Sequence, residues 1–181
     1  MSLRAAIASN GRRLRIPASD VMKPITGPNG NRGLVASTAA GGYIGNLVQP
    51  ISSLTFLYYV SVQSTGITWA ECAVAIGDLN AGGNPDLTVV GYADISGDLT
   101  VGAKRKQVTF DRLPAGSKIW LLTSVNATSL GNLASLAATD VLRTGSIVTR
   151  AATRPSSSVG VPQTYSKDPS TNPFFLAADV S

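Results

Sequence analysis

Leu54, Phe56, Tyr58, Val60 and Val62 alternate with Thr55, Leu57, Tyr59, Ser61 and Gln63. Side chains on an extended backbone project to opposite faces with a period of two, so this run specifies a strand whose first set faces a core. The pattern recurs. After a Ser64-Thr65-Gly66 break, Ala70, Cys72, Val74 and Ile76 form a second apolar row opposite Ile67, Trp69, Glu71, Ala73 and Ala75. A third strand alternates Leu87, Val89 and Ala93 against Thr88, Val90, Tyr92 and Asp94, Val108 and Phe110 mark a fourth, and a fifth alternates Ile119, Leu121, Thr123 and Val125 against Lys118, Trp120, Leu122 and Ser124. Turn chemistry separates them: residues 78–86 combine Gly, Asn and Pro, Gly97 and Asp98 follow the third strand, and Leu113-Pro114-Ala115-Gly116 leads into the fifth. Five strands at this spacing predict an all-β antiparallel sandwich or barrel.

Charge is segregated along the chain. Residues 1–32 hold six basic side chains (Arg4, Arg12, Arg13, Arg15, Lys23, Arg32) against Asp20, and residues 33–181 hold nine basic and nine acidic groups. The formal charge of +5 therefore belongs to the N-terminal segment. Pro17, Pro24 and Pro28, with Gly27, Gly30 and Gly33, break helices there and leave too few apolar groups for a core. We read residues 1–50 as an extended basic arm and linker, with one short strand added in the linker 33–50, and residues 51–181 as a single sandwich domain. Within that domain, 129–143 fits either a short helix or an irregular loop, 147–151 a short strand, and 155–173 an extended Pro- and Ser-rich connector. Phe174, Phe175 and Leu176 then form an apolar plug, predicted to be a closing strand or a hook into a neighbour.

Only 14% of the residues are charged, where about a quarter is usual, so much of the surface is expected to face other protein. Spanning a bilayer takes about 20 apolar residues in a row, and no run here reaches that length. No signal-peptide core follows the first basic residues, and membrane insertion is not expected. Histidine is absent and Glu71 is the only glutamate, which removes the commonest general base and the usual orienting partner of Ser or Cys nucleophiles. Glycosidase chemistry would need Glu71 paired with Asp94 or Asp111. The single Cys72 excludes an internal disulfide and a multi-cysteine metal site. Asp78, Asn80, Asn84 and Asp86 loosely resemble a calcium loop, but the twelfth position carries Val89 in place of a glutamate, and a polar turn is the simpler expectation. No catalytic residue, metal or cofactor is assigned.

The basic run Lys104-Arg105-Lys106 is expected to lie in a solvated turn beside Asp98 and Asp111. The arm lacks aromatic side chains for base stacking, so Arg4, Arg12, Arg13 and Arg15 are read as contacts to acidic protein grooves rather than to nucleic acid. Tyr59, Trp69 and Trp120, with Tyr92, fall on strand faces assigned outward, where aromatic platforms stack on sugar rings or are covered by other protein.

The stretch 67–77 (Ile-Thr-Trp-Ala-Glu-Cys-Ala-Val-Ala-Ile-Gly), followed by 87–94 (Leu-Thr-Val-Val-Gly-Tyr-Ala-Asp), resembles the jelly-roll-like β-sandwich modules of tailed-bacteriophage virion proteins. In those modules a Trp-containing strand leads to one ending near Gly-Tyr-Ala-Asp. A Val-Thr-Phe strand comes next, here 108–110, and a Leu-Pro-Ala-Gly turn enters Ile-Trp-Leu, here 113–121. The likeness covers residues 54–125 and the closing stretch 174–180, and rests on packing and turn residues. It implies a jelly-roll-like sandwich in a non-enzymatic virion component, assembled in the host cytoplasm, in the tail, baseplate or fibre region or decorating the head. The implied partners are copies of itself and other virion proteins. Two alternatives remain: a carbohydrate-binding module for a host-surface glycan, and a capsid protein whose arm touches the genome.

Overall fold

The computed structural model describes residues 13–15, 30–135, 147–150, 154–167 and 176–180. Among these residues the chain forms thirteen strands and one 3-10 turn, Pro155–Ser158. The strands are β1 (Arg13–Arg15), β2 (Gly30–Gly33), β3 (Ala39–Asn46), β4 (Ile51–Val62), β5 (Thr65–Leu79), β6 (Pro85–Asp94), β7 (Gly102–Leu113), β8 (Lys118–Ser129), β9 (Asn132–Ser135), β10 (Ile147–Arg150), β11 (Pro162–Thr164), β12 (Ser166–Lys167) and β13 (Leu176–Val180). Two antiparallel sheets pack face to face. The first runs β1-β13-β4-β9-β2, with β7 on the opposite edge of β4, and the second runs β11-β6-β5-β8-β3-β10-β12.

The predicted alternation builds the main core between the sheets. Leu54, Phe56, Tyr58 and Val60 of β4 meet Ala70, Cys72 and Val74 of β5 and Ile119, Leu121 and Val125 of β8. Val62, assigned to the same inward row, is exposed, because the register of β4 against β9 shifts between Val60 and Val62. Ile95 and Leu99 reach back from the loop after β6 and plug one end of the core. The linker 33–50 is more than a connector: β3 lies between β8 and β10 and buries Ala39, Ala40 and Ile44. Gly41 is required there, since a Cβ on it would sit 1.8 Å from the Leu121 carbonyl oxygen. Residues 132–135 of the ambiguous stretch are strand β9, and 136–143 lie outside the described residues.

Two expectations are corrected. Leu87 and Val89 do not share a face with Ala93. The β5–β6 register shifts between Val74 and Ala75, leaving Val90 as an extra residue, so Val90 and Ala93 face the main core while Leu87 and Val89 turn outward. Period two is lost wherever one strand holds a residue its partner lacks. The basic run 104–106 lies inside β7 rather than in a turn. Lys104 and Lys106 stand opposite Tyr58 and Phe56, on the core side of an edge strand, and their stems cover apolar surface while Lys104 donates to Thr100 (2.7 Å) and Lys106 pairs with Asp98 (3.3 Å).

The outward face of the second sheet is also buried. Ala39, Ala73, Ala75, Leu87, Val89, Trp120, Leu122 and Tyr165 form a second apolar cluster there. Residues 154–167 lie across it as a strap. The Gly160 amide donates to Val89 and the Tyr165 amide to Pro85, β11 pairs with β6 at one edge, and β12 pairs with β10 at the other. Trp120 is only 3% exposed and its indole N–H donates to the Gly77 carbonyl (3.1 Å).

Burial in the main core pushes the Cys72 thiol up to about 12. Since the thiolate is the reactive form, Cys72 should resist a disulfide-exchange reagent at about pH 8 in the folded protein and react fully after denaturation in guanidinium. Rapid native-state reaction would show that the sandwich opens at β5.

Candidate functional site

The most highly organised polar cluster lies where the strap begins. Glu71 belongs to β5, on the face that carries Trp69, Ala73 and Ala75, and is 1% exposed. A buried carboxylate needs charge compensation and hydrogen bonds, and the strap provides both. Arg154 Nε donates to Oε1 (2.6 Å), the Ser156 hydroxyl donates to Oε1 (2.8 Å), and the Ser156 amide donates to Oε2 (2.9 Å). The half-exposed Arg154 guanidinium lies over the Trp69 ring, 5.4 Å from its centroid. Asp94 stands opposite Glu71 on β6, and Ser96 donates to Asp94 Oδ1 through its hydroxyl (2.6 Å) and its amide (2.8 Å). The Ser96 bonds hold the Asp94 carboxyl below the usual aspartate range, with Lys106 and Arg154 adding to the effect. Asp111, the other carboxylate considered beside Glu71, is exposed on β7 of the opposite sheet. Both oxygens of Glu71 are engaged by the strap and closed off from solvent, so what this cluster does is fasten the strap to the sheet.

The 78–86 turn has a similar role. Asn80 Oδ1 accepts from the amides of Gly82 (3.0 Å) and Asn84 (3.1 Å), and Asp86 Oδ1 accepts from Asn80 Nδ2 (3.1 Å) and from the Thr164 hydroxyl (2.6 Å). Lys118 pairs with Asp78. The oxygens that the sequence brings together thus close a hairpin and hold β11. Among the described residues no three His, Cys, Asp or Glu side chains gather into a metal site.

The aromatic residues do not form one platform. Trp120 is buried under the strap against Tyr43, with ring centroids 5.3 Å apart. Tyr59, 38% exposed, belongs to the first sheet, whereas Trp69 and Tyr92 belong to the second. The alternation gave Trp120 its correct face but could not show that another part of the chain covers it. Arg154 and Ser156 were missed, since their partner is more than 80 residues away in sequence. The available signal was Glu71 itself, a lone glutamate in a row of small apolar residues.

Strands β1 and β13 meet at one edge of the first sheet. β1 pairs with β13, Arg13 opposite Asp179 and Arg15 opposite Ala177, and β13 pairs with β4 from Leu176 opposite Tyr58 to Val180 opposite Leu54. Arg4, Arg12, Phe174 and Phe175 lie outside the described residues. No helix among the described residues is long and apolar enough to cross a membrane. Comparisons with family models, with curated proteins and with solved structures give no match to this chain.

Replacing Glu71 with Ala would leave the Arg154 and Ser156 donors without their acceptor, at a cost of about 2–4 kcal/mol. The expected result is a lower urea midpoint and faster hydrogen exchange over 156–165, with a smaller loss for Glu71→Gln. An unchanged midpoint for Glu71→Ala would show that the apolar contacts alone hold the strap. The Ser96–Asp94 bonds make a pH-dependent contribution. Because the folded-state value is depressed, their stabilisation is present above about pH 4 and disappears as acid protonates Asp94. Ser96→Ala should raise the Asp94 titration midpoint, read by carboxyl NMR, and its stability deficit should vanish toward low pH.

Proposed function

We propose that this chain is a non-enzymatic structural component of a tailed-bacteriophage virion, in the tail, baseplate or fibre-attachment region or on the head surface, that assembles through its extended ends. The observation that carries this reading is that one side of the first sheet ends in two short strands far apart in the sequence, β1 and β13. A sandwich whose sheet edge is built from short strands remote in sequence is suited to subunits that add strands to one another. The likeness of residues 54–125 to virion sandwich modules supports the reading, as does a chain poor in charge. The jelly-roll-like assignment belongs to the same proposal. The cluster around Glu71 supports a structural role too, since its hydrogen bonds are spent on the fold.

Segregated charge gives the arm its part in this scheme. Exposed ion pairs contribute about 0–1 kcal/mol each and are screened by salt, while bidentate arginine contacts to carboxylates are stronger. Leu3, Ile7, Leu14 and Ile16 would supply a salt-insensitive remainder. The chain should be found by mass spectrometry at fixed stoichiometry in purified particles. Replacing Arg12, Arg13 and Arg15 with Ala should reduce occupancy on particles lacking the protein at low salt, by a few kcal/mol per subunit at most, with the sandwich still folded. Equal occupancy of variant and wild type at low and high salt would rule out docking by charge, and absence from particles would overturn the virion reading.

A further inference from the structure

We infer that the core between the two sheets holds an internal water molecule, bound by the hydroxyls of Tyr58 and Thr123 beside Cys72. Each hydroxyl interrupts an apolar row. Tyr58 stands among Leu54, Phe56 and Val60 on β4, and Thr123 among Ile119, Leu121 and Val125 on β8. Phe and Val would fill the same places with nearly the same shape and no polar atom. Tyr58 is 3% exposed and Thr123 1%, and among the described residues neither hydroxyl has a hydrogen-bond partner. A hydroxyl left unpaired in a core is costly, and two in one core call for a common partner.

The two hydroxyls approach Cys72 from opposite sheets. Cys72 lies directly opposite Thr123 in the β5–β8 register, so the two side chains share the inward face. Burial holds the Tyr58 phenol well above its ordinary range, and the charges of Asp98 and then Cys72 add to the effect. The phenol therefore keeps a proton to donate and lies within electrostatic reach of Cys72. The Thr123 hydroxyl both donates and accepts, and the Cys72 thiol, itself protonated, is a weak third partner. Water fits this set because it also donates and accepts, and internal waters are typically held by about three such contacts. An ion does not fit, since the charged groups nearest this site, Asp98 and Lys106, pair with each other at the rim. An apolar ligand would leave both hydroxyls unpaired. Ile95 and Leu99, buried from the loop after β6, close that end of the core, so the water exchanges with solvent only as the loop opens.

Two substitutions and one direct observation test the site in the full chain. Tyr58→Phe and Thr123→Val each remove a hydroxyl and change little else. With the water in place, each should lower the folding equilibrium constant, measured by urea unfolding, by roughly 2- to 12-fold. The Tyr58→Phe/Thr123→Val double variant should lose less than the product of the two, since the second substitution acts on a site already disrupted. In the wild type, water-selective NMR should transfer magnetisation from a long-lived internal water to the Tyr58 and Thr123 side chains, and the double variant should lose that signal. Substitutions that raise stability would show that the hydroxyls are buried dry, and losses that simply multiply would show two unconnected environments. Either result overturns the shared water. So would a folded wild type with no internal-water signal at these two side chains.

Discussion

The grip of the strap on Glu71 is the interaction on which the second half of the core depends. A carboxylate placed among Ala73, Ala75 and their neighbours is tolerable only if donors meet it there. Arg154 and Ser156 arrive together at the start of the segment that continues to Tyr165. The charge is thus less a source of net stability than a specification of where the strap lands, since an apolar contact alone would permit several registers. Once landed, the strap covers Trp120, Leu87 and Val89, and a sheet that would otherwise have one wet face is buried on both.

The two sheets consequently have different prospects for contact. The second has its edges occupied by β11 and β12. The first ends in short or basic strands: β1 is Arg-Leu-Arg, β2 contains Arg32, and β7 carries Lys104, Arg105 and Lys106. Like charge along edges discourages indiscriminate pairing between copies.

The five long strands β4 to β8 were legible in the sequence and their environment only partly so, while β1, β2, β9, β11 and β12 fall in stretches read as arm, loop or connector. β4, β5 and β8 were readable because their apolar rows are long and regular, and their inward residues are those that alternation selects, apart from Val62, which is exposed, and Ile67, which a register shift before Trp69 turns toward the main core. The reading of β6 failed at a single residue, because a doublet of valines gives no sign of which one lacks a partner. β3 resembled a linker since close approach to β8 demands glycine, the residue that also marks loops. The strap was hidden for a related reason: Pro, Ser and Gly let a segment lie flat on a sheet, and its one large apolar contact, Tyr165, is isolated in sequence. The Glu71 cluster could not be assembled from local pattern, as its members come from separate halves of the chain.

The closure of the second sheet has a kinetic meaning. β11 and β12 sit at opposite edges yet are separated in the chain by Tyr165 alone, so the sheet is a hydrogen-bonded ring sealed by covalent backbone. An open sheet frays from its ends, whereas a ring has no end from which to fray. Its opening must begin at the shortest links, the three-residue and two-residue strands beside Tyr165, and until they part, β5 and β8 within the ring are held at both flanks. Loss of the sheet is then expected to be slow and cooperative, in place of gradual erosion.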